Sequence, residues 1–107
     1  MEIIKLKPTD IQTNEAHVAT VERLKKYFDE AKEDCREYGH MSAQIYLYAD
    51  RPSELRYLRR KTMDAIEIAF EELHVMAWTL MHITPIEWDE WELCYKLKII
   101  LDFEKEP

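Results

Sequence analysis

A helical repeat of apolar positions dominates the first third of the chain. Between residues 18 and 38, apolar side chains recur every three or four positions, which places them on one stripe of an α-helix. The stripe comprises Val18, Val21, Leu24, Phe28, Ala31, Cys35 and Tyr38. Thr13 or Asn14 can cap the start, and Gly39 suits the left-handed position after the end. The pattern predicts a helix from Asn14 to Tyr38.

The middle of the chain predicts a strand followed by a second helix. Residues 43–49 alternate, with one face formed by Ala43, Ile45, Leu47 and Ala49 and the other by Gln44, Tyr46 and Tyr48. Asp50-Arg51-Pro52-Ser53 then marks a helix start, because proline sets φ for the first turn. The apolar stripe of this helix comprises Leu55, Leu58, Thr62, Ile66, Ala69, Phe70 and Leu73.

The last third predicts two strands around a turn. Residues 75–83 are apolar on both faces, as in a central strand, and residues 84–90 have the composition of a turn. Residues 91–103 then alternate strictly, which predicts a closing strand. Its apolar positions are Trp91, Leu93, Tyr95, Leu97, Ile99, Leu101 and Phe103.

These elements together predict the fold class. Residues 2–7 alternate weakly, so residues 1–10 form either an edge strand or an arm. No repeat or linker divides the chain, and residues 1–107 are therefore expected to form a single α+β domain of two layers. The order is β-α-β-α-β-β, with both helices packed on one face of a mainly antiparallel sheet.

The closing strand is unusually long for so small a domain. At about 3.3 Å per residue, residues 91–103 would extend about 40 Å, whereas a chain of this length has a radius of gyration of about 13 Å and a diameter of about 30 Å. The strand is therefore expected to bend at a bulge, to project, or to pair with another chain. In the last case Lys96 and Lys98 would lie at a contact between subunits.

Composition and charge exclude several classes of function. The chain has 107 residues, with 15 Lys and Arg against 22 Asp and Glu, for a net charge of −7. This acidic balance argues against specific nucleic-acid binding, which needs a basic footprint. A single glycine, Gly39, excludes glycine-rich phosphate loops. The chain shows neither a membrane-spanning apolar run nor a secretion signal, so the expected location is cytosolic, with both cysteines reduced.

The sequence offers no catalytic or cofactor-binding constellation. The histidines and cysteines lack the spacing of metal ligands, so no metal or other cofactor is expected. Ser42 and Ser53 lack a nucleophile motif. Cys35 lies on the apolar stripe of the first helix, and Cys94 falls on the polar face of the last strand, where a thiol can be exposed. The prediction is therefore a protein without enzymatic activity.

Charge is segregated along the second helix. Its first half carries the cations Arg51, Arg56, Arg59, Arg60 and Lys61, and its second half carries the acids Asp64, Glu67, Glu71 and Glu72. This order opposes the helix dipole, which favours acids first and bases last. The cations form either a solvated face or a basic surface that meets an acidic patch on a neighbour or DNA. Trp88 and Trp91 are the other candidates for an interface, since exposed tryptophans often anchor one. Packing of Trp88 onto its own hairpin is the alternative.

The second half of the chain resembles a known protein family. The strand Gln44-Ile45-Tyr46-Leu47-Tyr48, the helix start at residues 50–55, the Glu87-Trp88-Asp89-Glu90-Trp91 turn and the closing strand at residues 93–103 are similar to the tail terminator, or tail completion, proteins of long-tailed bacteriophages and prophages. The resemblance covers about residues 43–104. It implies a non-enzymatic subunit in a virion or host cytoplasm. Such subunits form a ring, typically hexameric, that caps the tail tube and joins it to the head connector.

The resemblance also implies roles for the features described above. The long last strand and the helix of segregated charge would form contacts between subunits, with itself and other tail or connector proteins as partners. Two other hypotheses fit the residues. One is a monomeric, acidic inhibitor or immunity-type protein that covers a basic site on a partner, for which one contiguous acidic patch would be the signature. The other is a small-molecule-binding dimer with Tyr46, Tyr48 and Trp78 around a pocket between helices and sheet.

Overall fold

A computed structural model describes residues 3–73 and 78–104, without the side chains of residues 78–80, 103 and 104. The elements in chain order are β1 (Ile4–Leu6), α1 (Asn14–Tyr38), β2 (His40–Ala49), α2 (Pro52–Leu73), β3 (Trp78–Ile83), β4 (Glu87–Asp89) and β5 (Cys94–Glu104). A short 3₁₀ turn at Pro8–Asp10 joins β1 to α1. The predicted positions 75–77 lie outside the described residues.

Both ends of α1 form as the sequence predicts. The Thr13 side chain accepts a hydrogen bond from the backbone N–H of Ala16 at 3.0 Å, which caps the first turn. Gly39 follows the last turn with φ of 82°, and its N–H donates to the carbonyl oxygen of Cys35 at 2.7 Å. Only glycine adopts this left-handed conformation without strain, so the position of Gly39 fixes where the helix ends.

The buried stripe of α1 differs from the predicted one at its margins. Val18 and Tyr38 were expected on it but are 60% and 73% exposed, whereas Tyr27 is buried. At 3.6 residues per turn, Val18 lies on the margin of the stripe opposite Tyr27, and Tyr38 belongs to the last turn. The stripe is therefore rotated toward Tyr27, whose hydroxyl reaches strand β2.

The sheet and helices form the predicted two layers. The strand order is β1-β2-β5-β3, with β4 also paired to β5, and every pairing is antiparallel except β1 with β2. Both helices contact β2 and β5 and pack on each other. The core between the layers includes the sheet residues Ile4, Leu6, Ala43, Ile45, Leu47, Leu97, Ile99 and Leu101. The predicted α+β fold with β-α-β-α-β-β order is confirmed, with β4 as a short addition.

Strand β5 lies in the centre of the sheet and has partners on both sides. Strand β2 pairs with it from Glu104 to Tyr95, while β3 and β4 cover the C-terminal and N-terminal halves of its other edge. Between β3 and β4, the Thr84 side chain accepts from the N–H of Lys98 at 2.9 Å and so continues the ladder. The expectation of a projecting or intermolecular strand is therefore not met. The molecule instead elongates to 42 × 29 × 19 Å, which accommodates the strand.

Three predicted boundaries need correction. Strand β2 begins at His40 rather than residue 43, and β5 begins at Cys94 rather than Trp91. Residues 87–89, expected in a turn, form β4, and the turn moves to residues 90–93. Leu93 there has a positive φ of 54°, which breaks the alternation that Trp91 and Leu93 appeared to continue.

Candidate functional site

A cluster of acidic and aromatic residues projects from one end of the sheet. We call residues 87–93 the acidic tryptophan tip, a segment that carries four carboxylates, on Glu87, Asp89, Glu90 and Glu92, and no cation. Trp91 is 94% exposed, Leu93 71% and Trp88 50%. Large apolar side chains grouped in this way on a surface are typical of a binding site for another protein.

A single buried carboxylate holds the tip in shape. Asp89 Oδ1 accepts hydrogen bonds from the backbone N–H groups of Trp91 at 2.8 Å and Glu92 at 3.0 Å, while Oδ2 lies 3.0 Å from Lys96 Nζ. The backbone bond to Glu92 is the main cause that lowers the pKa of Asp89 below its ordinary value, followed by the bond to Lys96. The charged form of Asp89 is therefore the form that stabilises the turn.

Trp88 is partly packed on its own hairpin and partly exposed, and so combines the two alternatives that the sequence left open. Its ring meets the ring of Tyr95 edge to face, with centroids 5.1 Å apart, across the β4–β5 pair. Half of its surface nevertheless remains exposed. Trp88 thus packs on its own hairpin on one side and offers its other side to a partner. Trp91 makes no ring contact with any described residue, so its exposed ring is free to bind.

Lys96 and Lys98 do not lie at a free edge. Lys96 lies 3.0 Å from Asp89 and 3.8 Å from Glu87, and its side chain is 21% exposed. Lys98 Nζ sits 4.9 Å from the centre of the Tyr46 ring, in cation–π geometry. Both lysines therefore interact within the sheet face that no helix covers. The structure assigns them to the tip and to the sheet surface rather than to an intermolecular strand.

The predicted cations of α2 form an exposed basic surface. Arg56, Arg59 and Arg60 are exposed and have no ion pair with any described residue. Lys61 is half-buried and lies 5.9 Å from the ring centre of Tyr57, and Arg51 makes a loose ion pair with Glu54 at 3.8 Å. We call Arg51, Arg56, Arg59, Arg60 and Lys61 the basic helix surface. Because Arg56, Arg59 and Arg60 have no ion pair with any described residue, they remain available to an anionic surface.

A cleft of about 320 Å³ lies beside the tip. It opens where the loop after β1, the β2–α2 connection and the start of β5 converge. Its lining is formed by Lys7, Pro8, Thr9, Gln12, Tyr48, Ala49, Asp50, Glu54, Glu92 and Cys94. Sequence patterns did not reveal this cleft, because its residues come from three separate segments. The nearest signal was Tyr48, which was singled out for a different pocket.

Two possibilities that the sequence left open are not met in this region. Cys94 falls on the face of β5 where a thiol can be exposed, but it is only 8% exposed, because the tip and the loop after β1 cover that end of the sheet. Burial and the nearby carboxylates raise the pKa of its thiol, which lowers its reactivity. Tyr46 and Tyr48 point away from the helices, since the alternate residues Ile45 and Leu47 occupy the core. No pocket between helices and sheet can include them, and the Trp78 side chain lies outside the described residues.

The described residues show no constellation for catalysis by a metal. None of their His, Cys, Asp and Glu side chains form a group of three or more that could hold a metal ion. Cys35 and Cys94 are both free thiols and both buried. Within residues 3–73 and 78–104, no helix is long and apolar enough to cross a membrane. Comparisons with protein-family models, curated proteins and solved structures found no match to this chain.

Proposed function

We propose that this protein is a non-enzymatic structural subunit that assembles with copies of itself into a ring, like the phage tail terminators that residues 43–104 resemble. One observation carries the proposal: a single chain bears two separate exposed surfaces of opposite charge, the acidic tryptophan tip and the basic helix surface. In a phage-like particle, the ring would cap the tail tube and contact connector proteins, in the virion or the host cytoplasm.

Two different complementary surfaces favour a head-to-tail contact. When the tip of one copy binds α2 of the next, each copy still has one surface free, and the series closes into a ring if the rotation allows it. The arginines of the basic helix surface and the carboxylates of the tip supply attraction at long range and select the orientation. The split charge of α2, which opposes the helix dipole, thereby gains a role in assembly.

The tip has the features of an interface anchor. Trp91 and Leu93 offer a large apolar area, and Asp89 fixes the turn that displays them. Little conformational freedom is therefore lost when a partner covers the tip, which favours binding. A buried tryptophan at the centre of an interface often contributes about 2 kcal/mol or more.

Absolute mass in solution tests assembly. We expect light scattering after size exclusion, over a wide range of concentration, to show a discrete species larger than a dimer of the 13.0 kDa chain. Trp91→Ala should weaken it by roughly thirtyfold or more in dissociation constant. Tyr38→Ala is the matched control, because Tyr38 is an exposed aromatic residue on α1 and does not belong to the tip. A monomer at every concentration would overturn the proposal.

Charge reversal tests which surfaces meet. Glu90→Lys on the tip and Arg59→Glu with Arg60→Glu on α2 should each disrupt the oligomer, since each creates a pair of like charges across the contact. The chain with all three substitutions should recover part of it, because residue 90 and residues 59 and 60 then attract each other again with their charges exchanged. Failure of recovery, with every variant folded by circular dichroism, would exclude this contact.

A monomeric inhibitor of the immunity type is the second candidate. The observation that favours it is that three carboxylates, those of Asp50, Glu54 and Glu92, line one cleft, and that Glu92 also belongs to the tip. Such a surface suits a basic site on a partner protein. A mass of one subunit at all concentrations, together with binding to a basic protein that Trp91→Ala abolishes, would favour this function over the ring.

A further inference from the structure

Two rows of side chains follow the outward side of α2. The first row consists of Tyr57, Lys61, Asp64 and Ile68, and the second of Arg56, Arg60, Glu67 and Glu71. At 3.6 residues per turn, each row covers about 60° of the helix surface, and the two rows adjoin. All of these residues are exposed except Lys61, which is half-buried. The two rows, which we call the outer face of α2, therefore point to solvent, opposite the buried stripe of the helix.

The ends of the first row are apolar. Tyr57 is 42% exposed and Ile68 37%, and they are the exposed large apolar residues of α2. They are separated by about three turns, so they lie on the same side of the helix, about 17 Å apart along its axis. At that distance neither side chain can cover the other. Both remain open to an apolar contact from outside the chain.

The charges of the outer face are not neutralised within the chain. The charged residues of the second row have no ion pair with any described residue, and neither has Asp64. Glu72, which lies beside this face, is instead bound to Lys25 of α1 at 2.9 Å. The second row therefore presents two cations and then two anions to solvent, each available to a charge of opposite sign.

Both rows have the symmetry of a helix that pairs with its own copy. When a second α2 is turned end for end about a two-fold axis, the first row matches itself about a midpoint between positions 62 and 63, and the second row about a midpoint between positions 63 and 64. The two midpoints differ by one residue, about 1.5 Å along the helix, so one arrangement satisfies both rows. We propose that α2 pairs antiparallel with α2 of a second copy of this chain. The contacts, each made twice, are Tyr57 with Ile68, Lys61 with Asp64, Arg60 with Glu67, and Arg56 with Glu71.

Charge selects a second copy as the partner and fixes its direction. In the antiparallel pair the basic half of each helix lies against the acidic half of the other, whereas a parallel pair would place like charges together. The arginines of one helix also lie near the C-terminal half of the other, where the helix dipole favours cations. A contact along a single helix of 22 residues is small, so we expect a weak dimer that forms at high concentration.

The pair and the proposed ring compete for the same helix. Both contacts use Arg56 and Arg60, so a given copy of α2 makes only one of them at a time. The pair therefore keeps the basic helix surface away from the acidic tryptophan tip and holds the chain in an unassembled form. This regulatory role rests on the proposed function, but formation of the pair does not depend on it.

Disulfide cross-linking tests the antiparallel geometry. An equal mixture of Arg56→Cys and Glu71→Cys chains should form a disulfide-linked heterodimer under mild oxidation. Either variant alone should not, because identical positions of the two copies lie about 22 Å apart along the helices, beyond the reach of a disulfide. The native Cys35 and Cys94 are buried and should not compete. A mixture of Tyr38→Cys and Glu71→Cys is the matched control and should stay unlinked. Equal linkage in the mixture and in the single variants, or none in the mixture, would overturn the proposal.

Sedimentation equilibrium of variants locates the contact. The measurements are made in the Trp91→Ala chain, which lacks the main anchor of the ring. Ile68→Asp should weaken dimerisation at least tenfold, because it places a charge in the apolar contact. Val18→Asp, the same kind of change at an exposed position of α1, is the matched control and should leave dimerisation unchanged. Equal dimerisation of these two variants would exclude the outer face of α2.

Exchange of one charge pair tests the pairing itself. Arg56→Glu should weaken the dimer about fivefold, since like charges then meet twice across the axis. Arg56→Glu combined with Glu71→Arg should restore it. Both substitutions follow the preference of the helix dipole, so neither weakens α2 itself. If the double variant dimerises no better than Arg56→Glu, these two residues do not meet.

The mass distribution separates the pair from the ring. In the chain with Trp91 intact, Ile68→Asp should lower the concentration at which species larger than a dimer form, because α2 is released for the tip. A dimer of Trp91→Ala, with no larger species in any chain, would support the pair and contradict the ring. Larger species of the intact chain, with Trp91→Ala monomeric at every concentration, would support the ring and contradict the pair.

Discussion

Thr62 places a hydroxyl inside the apolar core, where it is fully buried and its Oγ1 has no hydrogen-bond partner among the described residues. Thr20 is also buried, but its Oγ1 donates to the carbonyl oxygen of Asp10 at 2.6 Å. Both threonine hydroxyls are therefore buried, but only that of Thr20 makes a hydrogen bond. An unsatisfied buried hydroxyl destabilises the folded state, whereas a bonded one contributes to it.

Valine at these two positions should have opposite effects. We expect Thr62→Val to raise the free energy of unfolding by about 1 kcal/mol, because valine has the same shape without the polar atom. Thr20→Val should lower it by a similar amount, because the bond to Asp10 is lost. Urea denaturation measures both values. A change of the same sign in both variants would contradict this account of Thr62.

Asp89 makes stability depend on pH. Its folded-state pKa lies below the ordinary value of 3.8, so the contribution of its charged form is complete above that value and is lost as the pH falls through the lower folded value. Asp89→Asn should therefore be less stable than the wild type at about pH 7, and the difference should shrink as the pH falls below about 4. Urea denaturation at several pH values would measure this convergence.

The alanine variant separates the two roles of Asp89. Asparagine retains an oxygen that can accept from the N–H groups of Trp91 and Glu92, whereas alanine removes the acceptor as well. Asp89→Ala should thus remain less stable than Asp89→Asn even at low pH. Equal stability of the two variants would mean that the turn does not depend on these backbone bonds.

At the scale of elements, α1 protects the exposed edge of β2. Strand β1 pairs only with residues 45–47 of β2, which leaves the preceding backbone without a described strand partner. The Tyr27 hydroxyl accepts from the N–H of Gln44 at 2.9 Å and donates to its carbonyl oxygen at 3.4 Å. A helix side chain thereby occupies the groups through which another strand could add to the sheet.

Removal of that hydroxyl should open the edge. Tyr27→Phe is expected to lower the free energy of unfolding by about 1 kcal/mol and to speed hydrogen exchange at the Gln44 amide. Tyr57→Phe, at a partly exposed tyrosine on α2, is the control and should change neither. If the Gln44 amide exchanges at the same rate in Tyr27→Phe and the wild type, the hydroxyl does not protect this edge.

Elements with strong local signals were predicted best. The ends of α1 follow from Thr13 and Gly39, whose side-chain oxygen and backbone freedom act within one turn of the chain. Strand β4 was missed because three residues carry no period of their own, and its stability comes from pairing with β5. The start of β5 was placed too early because Trp91 and Leu93 are apolar and fit the alternating pattern of the strand, although their backbone belongs to the turn.

At the scale of the whole molecule, charge is separated between two regions. The tip and the cleft carry carboxylates, while the exposed first half of α2 carries arginines without described partners. This separation supports the proposed assembly more directly than the length of β5 did. The long strand has partners on both sides within its own chain, so the sheet offers no free central strand to a neighbour.

The amino-acid sequence determined the α+β class, the two helices, the cap residues of α1, and the sides of β2 and β5 that face the core. These properties follow from periodicity and from interactions between residues close in the chain, which sequence displays directly. It also identified Trp88, Trp91 and the α2 cations as surface candidates, although not their relation to one another.

Only the tertiary structure decided the rest. Burial of Cys94, the pairing of Lys96 with Asp89 and the cleft around Tyr48 all depend on segments far apart in sequence that meet at one end of the sheet. The placement of β5 in the centre likewise depends on which strands pair, and strand pairing is a long-range choice that no local pattern encodes.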